Sequence, residues 1–350
     1  MKRIHTPIVG LLLCGTAISG QALAGDVALH GFIRSAYDIS NSESKYLETI
    51  DDRGSFGDTL AGLNYSVKVN PKWSVAGQLF AKASEGELGL DWAFATFTPN
   101  DTTAIRFGRQ KYPLGLVTET IDIGTTYPWT RPPQEMYRTE LGGESPNLII
   151  ESFDGISAVF SGGDDWEYNV QPFFGENNYT FNAGNYIRQM AGIKLETSND
   201  MATLQAGYVS SKLTITDESG TLKLDNQTKT SYNLGAKLEV DDFLAYVEYI
   251  DSKVSSDSDF DSTASYATLA YQTGAYLPSV TYAQLEGSGG DLDQTSFTLA
   301  VAYQYDVSTV FKAQWKRIEP DDPTTGGLVS ALPAGDDTAD IASFTMDLVF

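Results

Sequence analysis

The chain has 350 residues, with 23 Lys and Arg against 46 Asp and Glu, a formal net charge of −23, one Cys and 2 His. Acidity on this scale argues against a nucleic-acid partner, which would need basic surface. Aromatic residues at 12%, recurring along the whole chain, argue against disorder.

The N-terminus reads as an export signal. Lys2 and Arg3 precede an apolar run from Ile8 to Cys14 that is too short to span a bilayer, and Ala22-Leu23-Ala24 offers small residues where a signal peptidase cuts. The expectation is a signal peptide at 1–24, cleaved after Ala24, and one domain at 25–350. That cleavage removes the single Cys and leaves His30 as the one histidine, so disulfides, a Cys nucleophile and a His-rich zinc site are not expected. No run of 18 apolar residues follows. The domain is then either a soluble exported protein or an outer-membrane barrel, whose strands carry only a weak alternating signal.

Period-two alternation recurs from residue 28 onward, and predicts strands near 28–39, 59–70, 73–84, 88–98, 103–111, 153–161, 166–174 and 186–197. It continues near 201–212, 229–240, 243–251, 264–273, 276–285, 295–305, 310–318 and 341–350. Short connections holding Asn, Asp or Ser, such as Ser198-Asn199-Asp200 and Asp306-Val307-Ser308, alternate with mostly longer ones. This is the pattern of an all-β, 16-stranded antiparallel transmembrane β-barrel with both ends on one side of the membrane. Closure is required in lipid, because an open strand edge would leave backbone groups unsatisfied. Trp73, Trp92, Trp166, Trp315, Tyr37, Tyr65, Tyr168, Tyr208, Tyr232 and Tyr305 are expected at strand ends or on the lipid face, as interfacial girdles require. A soluble barrel or sandwich core is the alternative reading of the same aromatics.

Most of the net negative charge falls in the longer connections, which on the barrel reading face outside the cell. Their carboxylates could share divalent cations with lipopolysaccharide phosphates. The inward positions, by parity, make a basic arc of Arg34, Lys68, Lys82, Arg106, Lys312 and Lys316 against Asp38, Asp91 and Asp347. The third long connection, 112–152, far exceeds ordinary loop lengths and carries Glu119, Asp122, Glu135, Arg131 and Arg138 among its charges. The chain ends in Phe344, Met346, Leu348 and Phe350 alternating with Ser343, Thr345, Asp347 and Val349.

Together, the sixteen strands, the terminal Phe350, Phe107-Gly108-Arg109-Gln110 ending the fifth strand, and the long third loop resemble the Gram-negative general diffusion porins. The resemblance implies a homotrimer, recognition of Phe350 by the barrel-assembly machinery, and a third loop folded inward to narrow the pore. Loop acids Glu119, Asp122 and Glu135 would then oppose wall bases Arg34, Lys82, Arg106 and Lys316, with Arg131 and Arg138 of the loop also at the constriction. The Pro-Glu-Phe-Gly-Gly sequence of enteric third loops is absent, and Tyr127-Pro128-Trp129-Thr130-Arg131-Pro132-Pro133 stands there instead.

No enzyme is expected, and no catalytic residue, cofactor or metal is assigned. His30 sits early in the first strand with no nucleophile motif beside it. Asp257-Ser258-Asp259-Phe260-Asp261 begins like a calcium loop but has Ser262 in place of Gly and Thr268 in place of the closing Glu, leaving only loose surface binding. The expected partners are outer-membrane lipid, lipopolysaccharide and small hydrophilic solutes. The function read is passive diffusion of such solutes and ions. A channel selective for sugars or organic acids, and a surface barrel without transport, remain open beside it.

Overall fold

The computed structural model describes residues 27–47, 49–137, 151–177, 186–216, 221–255, 260–287, 293–324 and 327–350. The signal segment 1–24, Arg138 and the acidic run 257–259 lie outside them. Sixteen strands follow in order: β1 (Val27–Ser40), β2 (Leu60–Asn70), β3 (Trp73–Lys82), β4 (Leu88–Asn100), β5 (Thr103–Lys111), β6 (Ser152–Gly163), β7 (Glu167–Asn177) and β8 (Tyr186–Ser198). After them come β9 (Ala202–Thr216), β10 (Leu222–Val240), β11 (Phe243–Val254), β12 (Ser262–Tyr271), β13 (Tyr276–Gly287), β14 (Gln294–Gln304), β15 (Thr309–Pro320) and β16 (Ala339–Val349). Each pairs antiparallel with its sequence neighbours, and β1 pairs with β16, so the sheet closes into a barrel with no free edge.

Alternation does in the structure what it does in the sequence. Along β11, Phe243, Val247 and Tyr249 are exposed on the outer face while Leu244, Tyr246, Glu248 and Ile250 are buried on the inner one. An apolar outer band of this kind is stable only against hydrocarbon. At the short-turn end, ring pairs form across neighbouring strands or turns: Trp73 with Phe97, Phe243 with Tyr271, Tyr276 with Tyr303 and Tyr305 with Phe311. These build the aromatic girdle.

The short connections use the chemistry their residues suggested. Asn70 Oδ1 accepts from the amides of Lys72 and Trp73, Asn199 Oδ1 from Met201 and Ala202, and Asp306 Oδ1 from Ser308. At the other end, the connections 41–59 and 321–338 clasp each other. Ser330 N donates to Lys45 O at 2.9 Å and Leu47 N to Leu328 O at 3.0 Å, above an apolar cluster of Tyr46, Ile50, Val329, Ile318 and Ile341.

Two departures from strict reading have local causes. β9 and β10 run to Thr216 and from Leu222, well past the expected 212 and 229, because Leu213, Ile215, Leu224 and Val254 pack inward as a cluster and extend the hairpin through bulges. In β4 the register slips between Leu79↔Leu90 and Gln78↔Trp92, so Asp91 is an extra residue. Trp92, expected on the lipid face, is thereby carried to the inner face opposite buried Gln78.

Candidate functional site

The segment that follows β5 begins Tyr112-Pro113-Leu114-Gly115, and Gly115, at φ 95°, supplies the left-handed step that turns the chain. Two single 3₁₀ turns, Thr118–Thr120 and Gly124–Thr126, and a short helix α1 (Gln134–Tyr137) give it compact shape. Its apolar side chains do not face water: Leu114, Val117, Trp129, Met136 and Tyr137 are buried against inward residues of β6 to β13, among them Phe153, Phe173, Met190, Tyr246 and Tyr266. Glycines on β9 and β10 make the seats. A β-carbon at Gly207 would stand 2.1 Å from Leu114, and one at Gly235 would stand 2.8 Å from Leu116.

Polar bonds fix the segment around these contacts. Trp129 Nε1 donates to Thr281 Oγ1 at 2.8 Å, the Thr130 amide to Gln314 at 3.1 Å, and Lys312 Nζ to the Trp129 carbonyl at 2.6 Å. Glu248, buried on β11, accepts from the Leu116 amide at 2.9 Å and from the Tyr137 hydroxyl. Buried carboxylates of this kind need such donors, since an unpaired one would cost several kcal/mol.

Every acid of the segment that was expected to matter is paired. Glu135 meets Lys316 at 2.8 Å, Asp122 meets Lys111 at 2.9 Å, and Glu119 meets Lys194 at 3.3 Å. Arg131 lies between two carboxylates, Asp38 at 2.8 Å and Asp58. The pairing energies show in the loop groups' acidities. Lys194 beside Glu119 holds that carboxyl low. For Glu135, burial pushes upward, but Lys316 and its hydrogen bonds outweigh it. Asp58 behaves likewise: burial is overcome by Arg131 and Lys82, and its pKa falls to about 2. Glu151, at the far end of the connection, goes the other way, pushed up to about 7 chiefly by burial, which the attraction of Lys111 does not offset, with Asp122 and Asp91 adding to the rise.

Of the expected oppositions, Glu135 with Lys316 is present. The other wall bases are occupied differently. Arg34 pairs with Asp347 at 2.7 Å and donates to the Tyr127 hydroxyl at 2.5 Å; Lys82 lies 3.7 Å from Asp58. Arg106 stacks over Phe94, its Cζ 5.4 Å from the ring centre, with no ion-pair partner among the described residues. Sequence reasoning missed Lys111, Lys194, Asp58 and Glu248. Parity puts Lys111 on the outer face, but it is the last residue of β5, where strand pairing ends and the side chain can bend inward. Lys194 and Glu248 do sit at inward positions, but on β8 and β11, away from the basic arc around β1.

No curated protein sequence matches the chain. Among solved structures it is similar to the anion-selective porin of Comamonas acidovorans, with a TM-score of 0.69 and 14% identity over 93% of this chain and 100% of that one. It is also similar to the outer-membrane channel DcaP of Acinetobacter baumannii, with a TM-score of 0.64 and 13% identity over 97% and 100%. OmpT of Vibrio cholerae in its trimer form gives 0.60 and 14% over 93% and 100%. At these identities the likeness concerns the fold. A family model described as Gram-negative porin matches residues 10–323. With that match over most of its length and a closed sixteen-stranded barrel, the chain belongs to the Gram-negative porins and is an outer-membrane channel for passive diffusion.

Proposed function

We propose that residues 112–137 cross the interior of the barrel as its constriction, and that the channel passes small hydrophilic solutes and ions with a weak preference for cations. One observation carries this reading. The same short segment pairs with Lys194 on β8 and with Lys316 on β15, strands on widely separated arcs of the closed ring. The acidic outer loops raise cation concentration at the mouth, and the paired charges of the constriction leave little net field against them. Recordings from the purified protein in planar bilayers test it: stepwise conductance in KCl, with a reversal potential on the cation side in a salt gradient, is expected. No conductance steps, or strong anion selectivity, would refute it.

The remaining assignments rest on the family. The signal peptide at 1–24 and the barrel domain at 25–350 are proposed on the export signal in the sequence, with β1 beginning at Val27 consistent with them. A homotrimer is supported by the likeness to OmpT of Vibrio cholerae in its trimer form and by small outward residues such as Ala81 on β3. Phe350 acts as the assembly signal for the barrel-assembly machinery, and the acidic loops meet lipopolysaccharide through shared divalent cations. Cross-linking in mild detergent separates trimer from monomer. A channel rather than an enzyme is what the family match and the closed barrel support.

A further inference from the structure

We propose that the inner wall at β4 and β5 is a binding station for small aromatic carboxylates, an inference that rests on the channel reading above. The bulge at Asp91 turns two consecutive inward positions of β4 aromatic: Trp92 and Phe94 stack on each other with ring centres 5.4 Å apart and an interplanar angle of 26°. Both are only partly buried, unlike Trp129 and Tyr137, whose burial in the constriction leaves no ring surface for a solute.

Arg106 completes the arrangement. It lies opposite Thr96, diagonal to Phe94, and rests its guanidinium on the Phe94 ring. Arg34, Lys82 and Lys316 each hold a carboxylate, whereas Arg106 has none among the described residues. A stacked guanidinium keeps its N–H groups in the ring plane's direction and can donate two parallel bonds to a carboxylate. The neighbouring wall carries little side-chain bulk: Phe94 is registered with Gly108, and Gly108 with Gly155. Glu119, with a side chain 52% exposed, lies near enough to interact with Arg106 and marks the loop side of the passage.

A flat ring offered to this surface gains offset or edge contacts with Trp92 and Phe94, while its carboxylate pairs with Arg106. Either half alone is weak. An aliphatic acid forfeits the ring contacts and a neutral aromatic forfeits the ion pair, so the class that satisfies both is an aromatic carboxylate. The charge of Glu119 keeps the attraction modest, as passage requires, since a solute held too firmly would not leave.

The test is current block in planar bilayers by benzoate, with acetate and cyclohexanecarboxylate as comparison probes, each reading scaled to the same protein's KCl conductance. Benzoate should give saturable block at a concentration about ten-fold below either comparison acid, a difference of ~1.4 kcal/mol. Arg106→Gln and Phe94→Leu should each raise that concentration about ten-fold, and Arg106→Lys, which keeps charge but not the planar fork, should raise it less. Heat-modifiable migration on a detergent gel reports that each variant has folded, and Trp92→Leu serves if Phe94→Leu does not. Block by benzoate no better than by acetate or cyclohexanecarboxylate, or block indifferent to these substitutions, overturns the station while leaving the channel intact. Absence of KCl conductance in the unaltered protein would instead overturn the channel reading itself.

Discussion

Phe350, the last residue, exchanges both backbone hydrogen bonds with Gly31 of β1, each 2.9 Å long, and lays its ring over the glycine so closely that a β-carbon there would stand 2.3 Å from it. The pair extends the β1–β16 seam, the one junction that joins strands distant in sequence. Deleting Phe350 removes two bonds worth about 1 kcal/mol each in water and more in hydrocarbon. Folding into detergent micelles, followed by the heat-modifiable band, should slow several-fold. Gly31→Val should have a similar effect by displacing the ring. Wild-type rates for both would show that the seam closes without them.

The Glu135 and Lys316 pair, 2.8 Å apart with both side chains nearly inaccessible, anchors α1 to β15. Glu135→Gln leaves an ammonium buried without its counter-charge, which costs about 3 kcal/mol. Thermal loss of the folded band should move to lower temperature, and single-channel current should become noisier as the helix loosens. Replacing both residues with Met should recover much of the lost stability, since no charge is then stranded. A double variant as unstable as the single one would contradict this account.

Glu119 differs from its two partners in the loop. Its side chain is 52% exposed, whereas Asp122 and Glu135 are buried in their ion pairs. Neutralising Glu119 alone leaves Lys194 and Arg106 facing the passage with less opposition, so Glu119→Gln should move the reversal potential toward anions. The shift should shrink at high salt, with screening beyond about 3 Å at 1 M. An unchanged potential would place Glu119 outside the ion path.

Glu151 sets a pH dependence. Its carboxyl is raised to about 7 chiefly by burial, partly countered by Lys111 and reinforced by Asp122 and Asp91. The sign follows from the direction: a carboxyl that holds its proton more tightly when folded contributes stability below its ordinary pKa and loses it as pH rises through about 7. Above that point the group carries an added negative charge beside the loop. Cation preference should therefore rise between pH 6 and 8, about one unit either side of the midpoint, while thermal stability should fall from the ordinary carboxylate range up to about 7 and level off above it. Glu151→Gln should flatten both profiles. A midpoint near an ordinary carboxylate value in the reversal-potential titration would refute it.

The features legible in the residues alone are those that depend on neighbours along the chain. Alternation from Val27 to Phe350, and Asn70, Asn199 and Asp306 at the turns, fixed the strand number, the lipid face and the position of the long third loop, because side-chain period and turn chemistry act over a few residues. Pairing across the lumen was not legible in that way. Lys194 answers Glu119 from a strand far along the ring, and Asp38 and Asp58 jointly hold Arg131 from β1 and the first loop. One extra residue, Asp91, reversed the facing of Trp92 against its apparent period. Such choices belong to the tertiary structure: charges meet their partners, and a bulge takes its place, only when distant strands have closed the ring and set the distances between them.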